Sequence, residues 1–322
     1  MRDAHPVVGF TRTPPGNPEI PGACVRILGD GKPTQDELLS FVQGLDALVT
    51  MYTDRVDAAL LEAAGERLKI ICNFAVGYDN INIFHCQTRG VLVANTPDAV
   101  TEGTANIAWL MILATARRLI EADRYARSEA YPANGQLGMS DLLGMDLCNK
   151  ELLIVGAGRI GYATAVRAKA FGMQIAYVAR TRRLAFEAAP LAARRVTLED
   201  GLSAADVVSL HTPLTEHTHH LINAENLKLL KPEAIIVNTA RGPVIDEQAL
   251  VEALDAGRLW GAGLDVYEKE PEVHPGLIGN PRVVLTPHIG SAEIRWRNAM
   301  TEMVCENVAA ALAGREPPNR IA

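Results

Sequence analysis

Short apolar runs alternate with stretches of helical spacing along nearly the whole chain. VVGF (7–10), CVRIL (24–28), DALVT (46–50), KIICNF (69–74) and VLVA (91–94) read as buried strands. Helical stretches lie between several of them, at 56–64 and 80–88 for example. That alternation predicts a parallel sheet with helices on both faces. The segment TRTPPGNPEIPGA, between the first two runs, is too rich in proline and glycine to predict a helix there. A long helix follows Pro97, and its Ile107, Leu110, Met111 and Ala114 recur at i, i+3, i+4 and i+7 to form one apolar face. At Glu151 the alternation restarts: ELLIV, QIAYV, DVVSL, AIIVN, GAGLDV and VVLT follow in order. Six strands are the number a doubly wound α/β sheet requires. A last helix over about 292–313 carries Met300, Met303, Val304, Val308, Ala311 and Leu312 on one stripe. Gly314 suits its C-cap, and Pro317 and Pro318 prevent continuation. This helix comes after the second α/β unit and can return to pack on the first.

Composition narrows the class. A length of 322 residues suggests two domains, and 48% apolar residues suffice for two cores. A net charge of −7 argues against nucleic acid or an anionic membrane as partner, so local basic clusters need local explanations. The five cysteines (Cys24, Cys72, Cys86, Cys148 and Cys305) are scattered and form no CxxC pair. They suit reduced thiols rather than a disulfide framework or a metal site. The N-terminus, MRDAHPVVGF, lacks the apolar core of a signal peptide, and AWLMILATA is too short to span a bilayer. A cytoplasmic, soluble protein without metal is expected.

Residues 156–161 read GAGRIG, with ELLIV before them and a helical pattern after them. A GxGxxG in this strand–turn–helix context predicts a dinucleotide site. Gly156 permits the tight turn, Gly158 lets backbone approach a pyrophosphate, and Gly161 allows close helix–strand packing. Arg159 and Ile160, inside the loop, are expected cofactor contacts, and the N-terminus of the helix that follows offers N–H groups to the phosphates. About 20 residues on, such folds place an acid that holds the ribose hydroxyls of NAD. Here the QIAYV strand ends in Ala179-Arg180-Thr181-Arg182-Arg183, and the first acid afterwards is Glu187. Guanidiniums bind a 2′-phosphate that a carboxylate would repel. NADP(H) is therefore expected in preference to NAD(H), without excluding the latter. Arg180 and Arg182 are the expected main contacts, and Thr181 contributes its hydroxyl or N–H. Arg183, Arg194 and Arg195 read as solvated surface.

Three later segments carry ionisable residues at strand ends: NTARGPVIDE (238–247), GLDVYEKEP (263–271) and TPHIGSA (286–292). Chemistry in open α/β sheets gathers at the carboxyl ends of strands, so Arg241, Glu270 and His288 can converge. Those residue types suit hydride transfer to a 2-oxo acid. Arg241 can bind the carboxylate or carbonyl oxygen and polarise the C=O. His288 can donate the proton to oxygen, and Glu270 beside it would favour the imidazolium.

With these stretches, and with FAVGYDNI (74–81), HTPLTEHTHHLIN (211–223), NTPD and ATARR, the chain resembles the D-isomer-specific 2-hydroxyacid dehydrogenases over nearly its whole length. It looks most like their glyoxylate/hydroxypyruvate reductase branch. The resemblance implies two doubly wound parallel-sheet domains, a Rossmann-type cofactor domain and a flavodoxin-like substrate domain, with a cleft between them. It implies a discontinuous substrate domain, 1–98 with 289–322, and a dinucleotide domain over 99–288. It also implies that the N–H groups of Val76 and Gly77 grip the substrate carboxylate, that Asp265 meets the nicotinamide carboxamide, and that Thr239, Ala240 and Gly290 line the cofactor. Met51 and Tyr52, after DALVT, are placed to shape the pocket. The partners implied are a small 2-oxo or 2-hydroxy acid and a second copy of the chain in a homodimer. The expected activity is NADPH-dependent reduction of glyoxylate and hydroxypyruvate. A different 2-oxo acid within the family, or a dinucleotide-sensing corepressor-like protein, stands as the alternative. His217, His219 and His220 of TEHTHH read as solvated, and Cys72 shows no feature of a reactive thiolate.

Overall fold

The two runs of alternation form two separate all-parallel sheets, one of five strands and one of seven. The computed structural model describes residues 5–322; the first four residues of the MRDAHPVVGF segment lie outside this range. The chain divides into two compact units, one running up to Val100 and including Ser291–Ala322, the other Thr101–Gly290.

The first unit contains β1 (Val7–Phe10), β2 (Cys24–Ile27), α1 (Gln35–Phe41), β3 (Ala47–Thr50), α2 (Ala58–Ala64), β4 (Ile70–Asn73), α3 (Ile83–Thr88) and β5 (Leu92–Ala94). Side-chain caps set where its helices begin. Thr34 and Glu37 make a reciprocal capping box, and Asp57 and Asn82 cap α2 and α3. The strand order is β2-β1-β3-β4-β5, the flavodoxin-like order, with its reversal between β1 and β3. β3 and β4 are buried throughout, as unbroken apolar runs in a parallel sheet require. CVRIL departs from the expectation of a buried strand. β2 lies at the sheet edge, pairs only with β1, and leaves Ile27 43% exposed. No helix forms in the TRTPPGNPEIPGA segment beside it.

The second unit contains α4 (Thr101–Ala116), α5 (Leu119–Arg127), α6 (Ala130–Asn134), β6 (Glu151–Val155), α7 (Arg159–Ala170), β7 (Gln174–Val178), α8 (Leu184–Glu187), β8 (Arg194–Arg195), α9 (Leu198–Ala204), β9 (Val207–Leu210), α10 (Ala224–Leu229), β10 (Ile235–Asn238), α11 (Glu247–Asp255), β11 (Gly261–Leu264) and β12 (Val283–Leu285). The order β8-β7-β6-β9-β10-β11-β12 is the Rossmann order with one added edge strand. The sequence count of six strands is thereby corrected. The third strand of the Rossmann six is β8, two arginines with no apolar run to reveal them, and VVLT is a seventh. Two cores cover the sheet's faces, one around Leu153, Val208, Ile236 and Leu250, the other around Ile112, Ile154, Tyr177 and Val237.

The expected apolar stripe of α4 is only partly right. Met111 and Ala114 are buried, Ile107 is half-buried and Leu110 is 48% exposed. The helix packs on α7 as well as on β10 and β11, so its small residues Ala105, Ala108 and Thr115 face inward too.

The last helix, α12 (Ile294–Leu312), packs across β3, β4 and β5 of the first unit and buries Met300, Val304, Val308 and Ala311. Its buried Asn307 donates to the Asn95 carbonyl at 3.3 Å and accepts from Asn319 N at 2.9 Å. The C-terminal tail then joins β5 through Ile321 N to Val93 O at 2.7 Å and Val93 N to Ala322 O at 2.8 Å. No helix among the described residues is long and apolar enough to cross a membrane.

Candidate active site

The turn after β6 has the geometry of an anion cradle. Gly156 stands at φ +103°, and a Cβ there would lie 2.6 Å from the His211 carbonyl. At Gly161 a Cβ would lie 2.5 Å from the Gly156 oxygen and 2.8 Å from Ile154, so the helix could not approach the strand. Gly158 differs: it is exposed, and nothing lies within 4 Å of its missing Cβ. Gly158 caps α7 without a side chain, and the first intrahelical bond is Tyr162 N to Gly158 O at 2.9 Å. The N–H groups of Ile160 and Gly161 therefore lack helical acceptors. The buried Thr212 and Thr239 hydroxyls and His211 Nδ1 also have no partner among the described residues. These orphaned donors and the open face at Gly158 fit a bound dinucleotide.

At the end of β7 the backbone is pinned while its side chains stay exposed. Arg195 donates to the carbonyls of Ala179 and Arg180, both at 3.0 Å, and the Tyr177 hydroxyl accepts from Arg183 N at 2.9 Å. Arg182 bonds Glu187 at 2.6 Å. The Tyr177 hydroxyl, then Arg182, hold the Glu187 carboxyl below its ordinary range. The Arg180 guanidinium has no partner among the described residues. Tertiary structure thus separates two residues that sequence treats alike, with Arg182 committed to Glu187 and Arg180 free.

β10, β11 and β12 are neighbours, so the segments after them lie side by side. Asn238 shapes the first, donating to the Arg241 carbonyl at 2.9 Å and accepting from Ala240 N at 3.0 Å. Arg241 Nη1 donates to the Ala240 carbonyl at 2.8 Å. After β11, Asp265 is 1% exposed, and burial pushes its carboxyl up against the hydrogen bonds it accepts. Those bonds come from Thr286 Oγ1 (2.6 Å), Ile289 N (2.8 Å) and Gly290 N (2.8 Å), all in the segment that carries His288. Glu270 Oε1 accepts from Tyr267 N at 3.1 Å, and Oε2 meets His288 Nδ1 at 2.8 Å. His288 sits in the left-handed region, φ +55°, with its N–H donating to Thr286 O.

In the first unit the loop after β4 turns its carbonyls inward. Ala75 O accepts from Thr96 N at 3.1 Å, Val76 O from Asn95 Nδ2 at 2.7 Å, and Gly77 O from Asn73 Nδ2 at 2.7 Å. In a planar trans peptide the N–H points opposite its carbonyl. The N–H groups of Val76 and Gly77 therefore face away from these partners, side by side.

Several positioning residues lie inside the quoted stretches yet receive no role from the sequence. Thr286, Tyr267 and Asn95 hold site segments through partners distant in the chain, and Asn238 and Asn73 through partners within four residues. The Tyr267 hydroxyl donates to Thr286 O at 2.8 Å, and burial pushes its pKa up to about 12. TEHTHH is not wholly solvated, because His220 Nε2 meets Glu268 Oε1 at 2.7 Å. No group among the described residues could hold a metal ion. Burial raises the Cys72 thiol far above its ordinary pKa.

His211, below the glycine loop, yields a prediction on pH. Its Nε2 meets Ser209 Oγ at 2.9 Å, and burial lowers its pKa from 6.5 to about 3. On acidification the unfolded chain takes up this proton first. The stability that neutral His211 contributes is therefore full above about pH 6.5 and falls as pH drops, by about 2 kcal/mol at pH 5. Urea midpoints at pH 7 and pH 5 check this. The drop should shrink in His211→Gln, and an equal drop in both proteins would refute it.

Residues 109–290 match the family described as D-isomer specific 2-hydroxyacid dehydrogenase, NAD binding domain. The chain is 48% identical over 289 residues to a glyoxylate reductase of Thermococcus onnurineus, covering 89% of this chain and 86% of that one. A crystal structure of a Thermus thermophilus protein superposes with a TM-score of 0.91 at 43% identity, covering 98% of this chain and 100% of that one. An NADPH-dependent glyoxylate/hydroxypyruvate reductase from Sinorhizobium meliloti, solved with NADP and malonate, superposes with a TM-score of 0.85 at 31% identity, covering 99% and 97%. The chain belongs to the D-isomer specific 2-hydroxyacid dehydrogenases, a family of NAD(P)-dependent oxidoreductases.

Proposed function

We propose that the enzyme reduces glyoxylate to glycolate and hydroxypyruvate to D-glycerate with NADPH, and that His288 is the proton donor. The observation that carries the chemistry is the 2.8 Å contact of Glu270 with His288 Nδ1. It leaves Nε2 as the imidazole nitrogen for proton transfer to substrate, and the carboxylate supports the positive ring before that transfer. The names of the relatives, glyoxylate reductase and NADPH-dependent glyoxylate/hydroxypyruvate reductase, support the substrates.

The bound cofactor supplies the hydride to the substrate's carbonyl carbon. The protein does the rest. The N–H groups of Val76 and Gly77, with Arg241, hold the carboxylate, and Arg241 polarises the carbonyl. His288 delivers one proton to the oxygen, so hydride and proton together make the 2-hydroxy acid. Gly156, Gly158, Arg159, Ile160 and Gly161 hold the pyrophosphate, and Thr239, Ala240 and Gly290 line the cofactor. Asp265 accepts three hydrogen bonds and keeps about one acceptor site of roughly four for the carboxamide. The substrate role falls to 1–98 with 289–322, and the cofactor role to 99–288. Leu110, Leu119, Tyr131, Leu137, Met139 and Leu143 are all more than 40% exposed, and such a run supports a homodimer through the cofactor unit. Five unpaired thiols suit the cytoplasm.

Arg180 and Thr181 are the proposed 2′-phosphate contacts, with Arg182 joining once released from Glu187. Arg180→Ala should raise the KM for NADPH by about 10-fold or more, as loss of a charged hydrogen bond does, and barely change that for NADH. Equal effects on both would remove the assignment. Initial rates with glyoxylate and hydroxypyruvate, each with NADPH and NADH, test the whole reading. Faster turnover with NADPH supports it. Faster turnover with NADH keeps the reductase and rejects the arginine assignment. Cofactor binding without turnover rejects these substrates.

A further inference from the structure

The five-stranded sheet reverses its strand order between β1 and β3, and open α/β sheets bind ligands at the carboxyl ends beside such a reversal. A pocket of about 80 Å³ lies there, walled by Phe10, Thr11, Thr50, Met51, Phe74 and Arg297. The first five stand at or just after the ends of β1, β3 and β4, and Arg297 comes from the first turn of α12.

The charges around it do not balance. Arg12, also in the wall, is committed: it bonds Asp54 Oδ1 at 3.1 Å and the Thr11 carbonyl at 2.8 Å. Asp54 is fully taken up in turn, accepting from the Thr11 hydroxyl at 2.5 Å and Met51 N at 2.8 Å. Arg297 has no carboxylate partner among the described residues. Its Nε donates to Ser291 O at 3.2 Å, so about four of its five N–H donors have no protein partner among the described residues. The side chain is half-buried, and burial lowers its pKa. Two guanidiniums and one carboxylate leave the wall one positive charge in excess. A partly desolvated cation with unused donors calls for an anionic or oxygen-rich partner.

The volume limits that partner. At about 80 Å³ the pocket suits a small oxygen-bearing group such as a hydroxymethyl or a carboxylate. Its position supplies the connection to substrate: Phe74, in the wall, directly precedes the turn whose Val76 and Gly77 N–H groups are assigned to the substrate carboxylate.

We propose that Arg297 and this pocket bind an oxygen-bearing substituent on C3 of the 2-oxo acid, a carboxylate more tightly than a hydroxyl, so that Arg297 sets specificity among substrates. This rests on the reading of the chain as a 2-oxo-acid reductase. Hydroxypyruvate and 2-oxobutanoate have nearly the same shape and differ by hydroxyl against methyl; oxaloacetate offers the carboxylate.

The test is kcat/KM for glyoxylate and these three acids in the wild-type enzyme, in Arg297→Gln and in Arg297→Lys. In wild type, oxaloacetate and hydroxypyruvate should both exceed 2-oxobutanoate. In Arg297→Gln the ratio of oxaloacetate to 2-oxobutanoate should fall about 10-fold or more, mainly through KM, with partial recovery in Arg297→Lys. A wild-type ratio of one or less, or a ratio unmoved by Arg297→Gln, overturns the pocket assignment while glyoxylate turnover keeps the reductase. Absence of turnover with all four acids removes the reductase reading and this proposal with it. Met51→Phe, which fills the pocket without touching the charge, gives a second arm should Arg297→Gln fold poorly. It should lower the same ratio, and an unchanged ratio there counts against the proposal.

Discussion

His288→Ala is expected to cut kcat for glyoxylate by about 10²- to 10⁴-fold, the range that a positioned general acid contributes. Geometry says why the loss should be in kcat. His288 is held by Glu270 at Nδ1 and by a backbone bond to Thr286, and Thr286 is in turn bound by Asp265 and Tyr267. Removing the imidazole leaves that frame in place and takes away the proton source. Cofactor affinity, read by quenching of protein fluorescence, should therefore change little. Near-normal turnover in His288→Ala would rule out the histidine as donor. Loss of cofactor binding together with turnover would assign it a structural role instead.

Gly242→Ala should be as damaging by a different route. A Cβ at this buried position would stand 1.9 Å from the Tyr267 carbonyl carbon and 2.4 Å from Glu268 N. Both neighbours are backbone, so no rotamer change relieves the clash. The segment with Arg241 and the segment leading to Glu270 must separate. The expected cost is about 3 kcal/mol or more, because overpacking against backbone cannot relax locally. In a unit of this size that lowers Tm by roughly 6–12 °C. Turnover should fall further than stability alone explains, because Arg241 and Glu270 lie on the two displaced segments. Thermal melts and kcat/KM on the same preparation check both parts. A variant that melts like the wild type would show that the two segments yield easily.

Residues whose signal is local were readable before folding. GAGRIG announces itself because turn, approach and packing each need glycine within six positions. The Arg180 segment was visible as a missing acid at a fixed distance from that motif. β8 was not visible, since two arginines carry no hydrophobic period; their strand exists only because β7 offers them an edge. The exposure of CVRIL was equally hidden, because an apolar run looks the same in a central strand and at an edge. His220 looked solvated in its own loop, and its partner Glu268 stands 48 residues away.

By itself the sequence determined the alternation of strands and helices, where the last helix ends, the nucleotide loop and the candidate residues Arg241, Glu270 and His288. These follow from periodicity, capping and glycine spacing, which act within a few residues. Tertiary structure alone decided the strand orders, the commitment of Arg182 to Glu187, the inward carbonyls behind Val76 and Gly77, and the unmatched charge of Arg297. Arg182 and Glu187 are only five residues apart and meet through the turn after β7, but the strand orders and the surroundings of Arg297 depend on groups far apart in the chain, as Thr301 and Pro15 are where α12 meets the loop after β1. Burial removes water as the alternative partner, so which distant group arrives decides whether a side chain is satisfied or left free for a ligand.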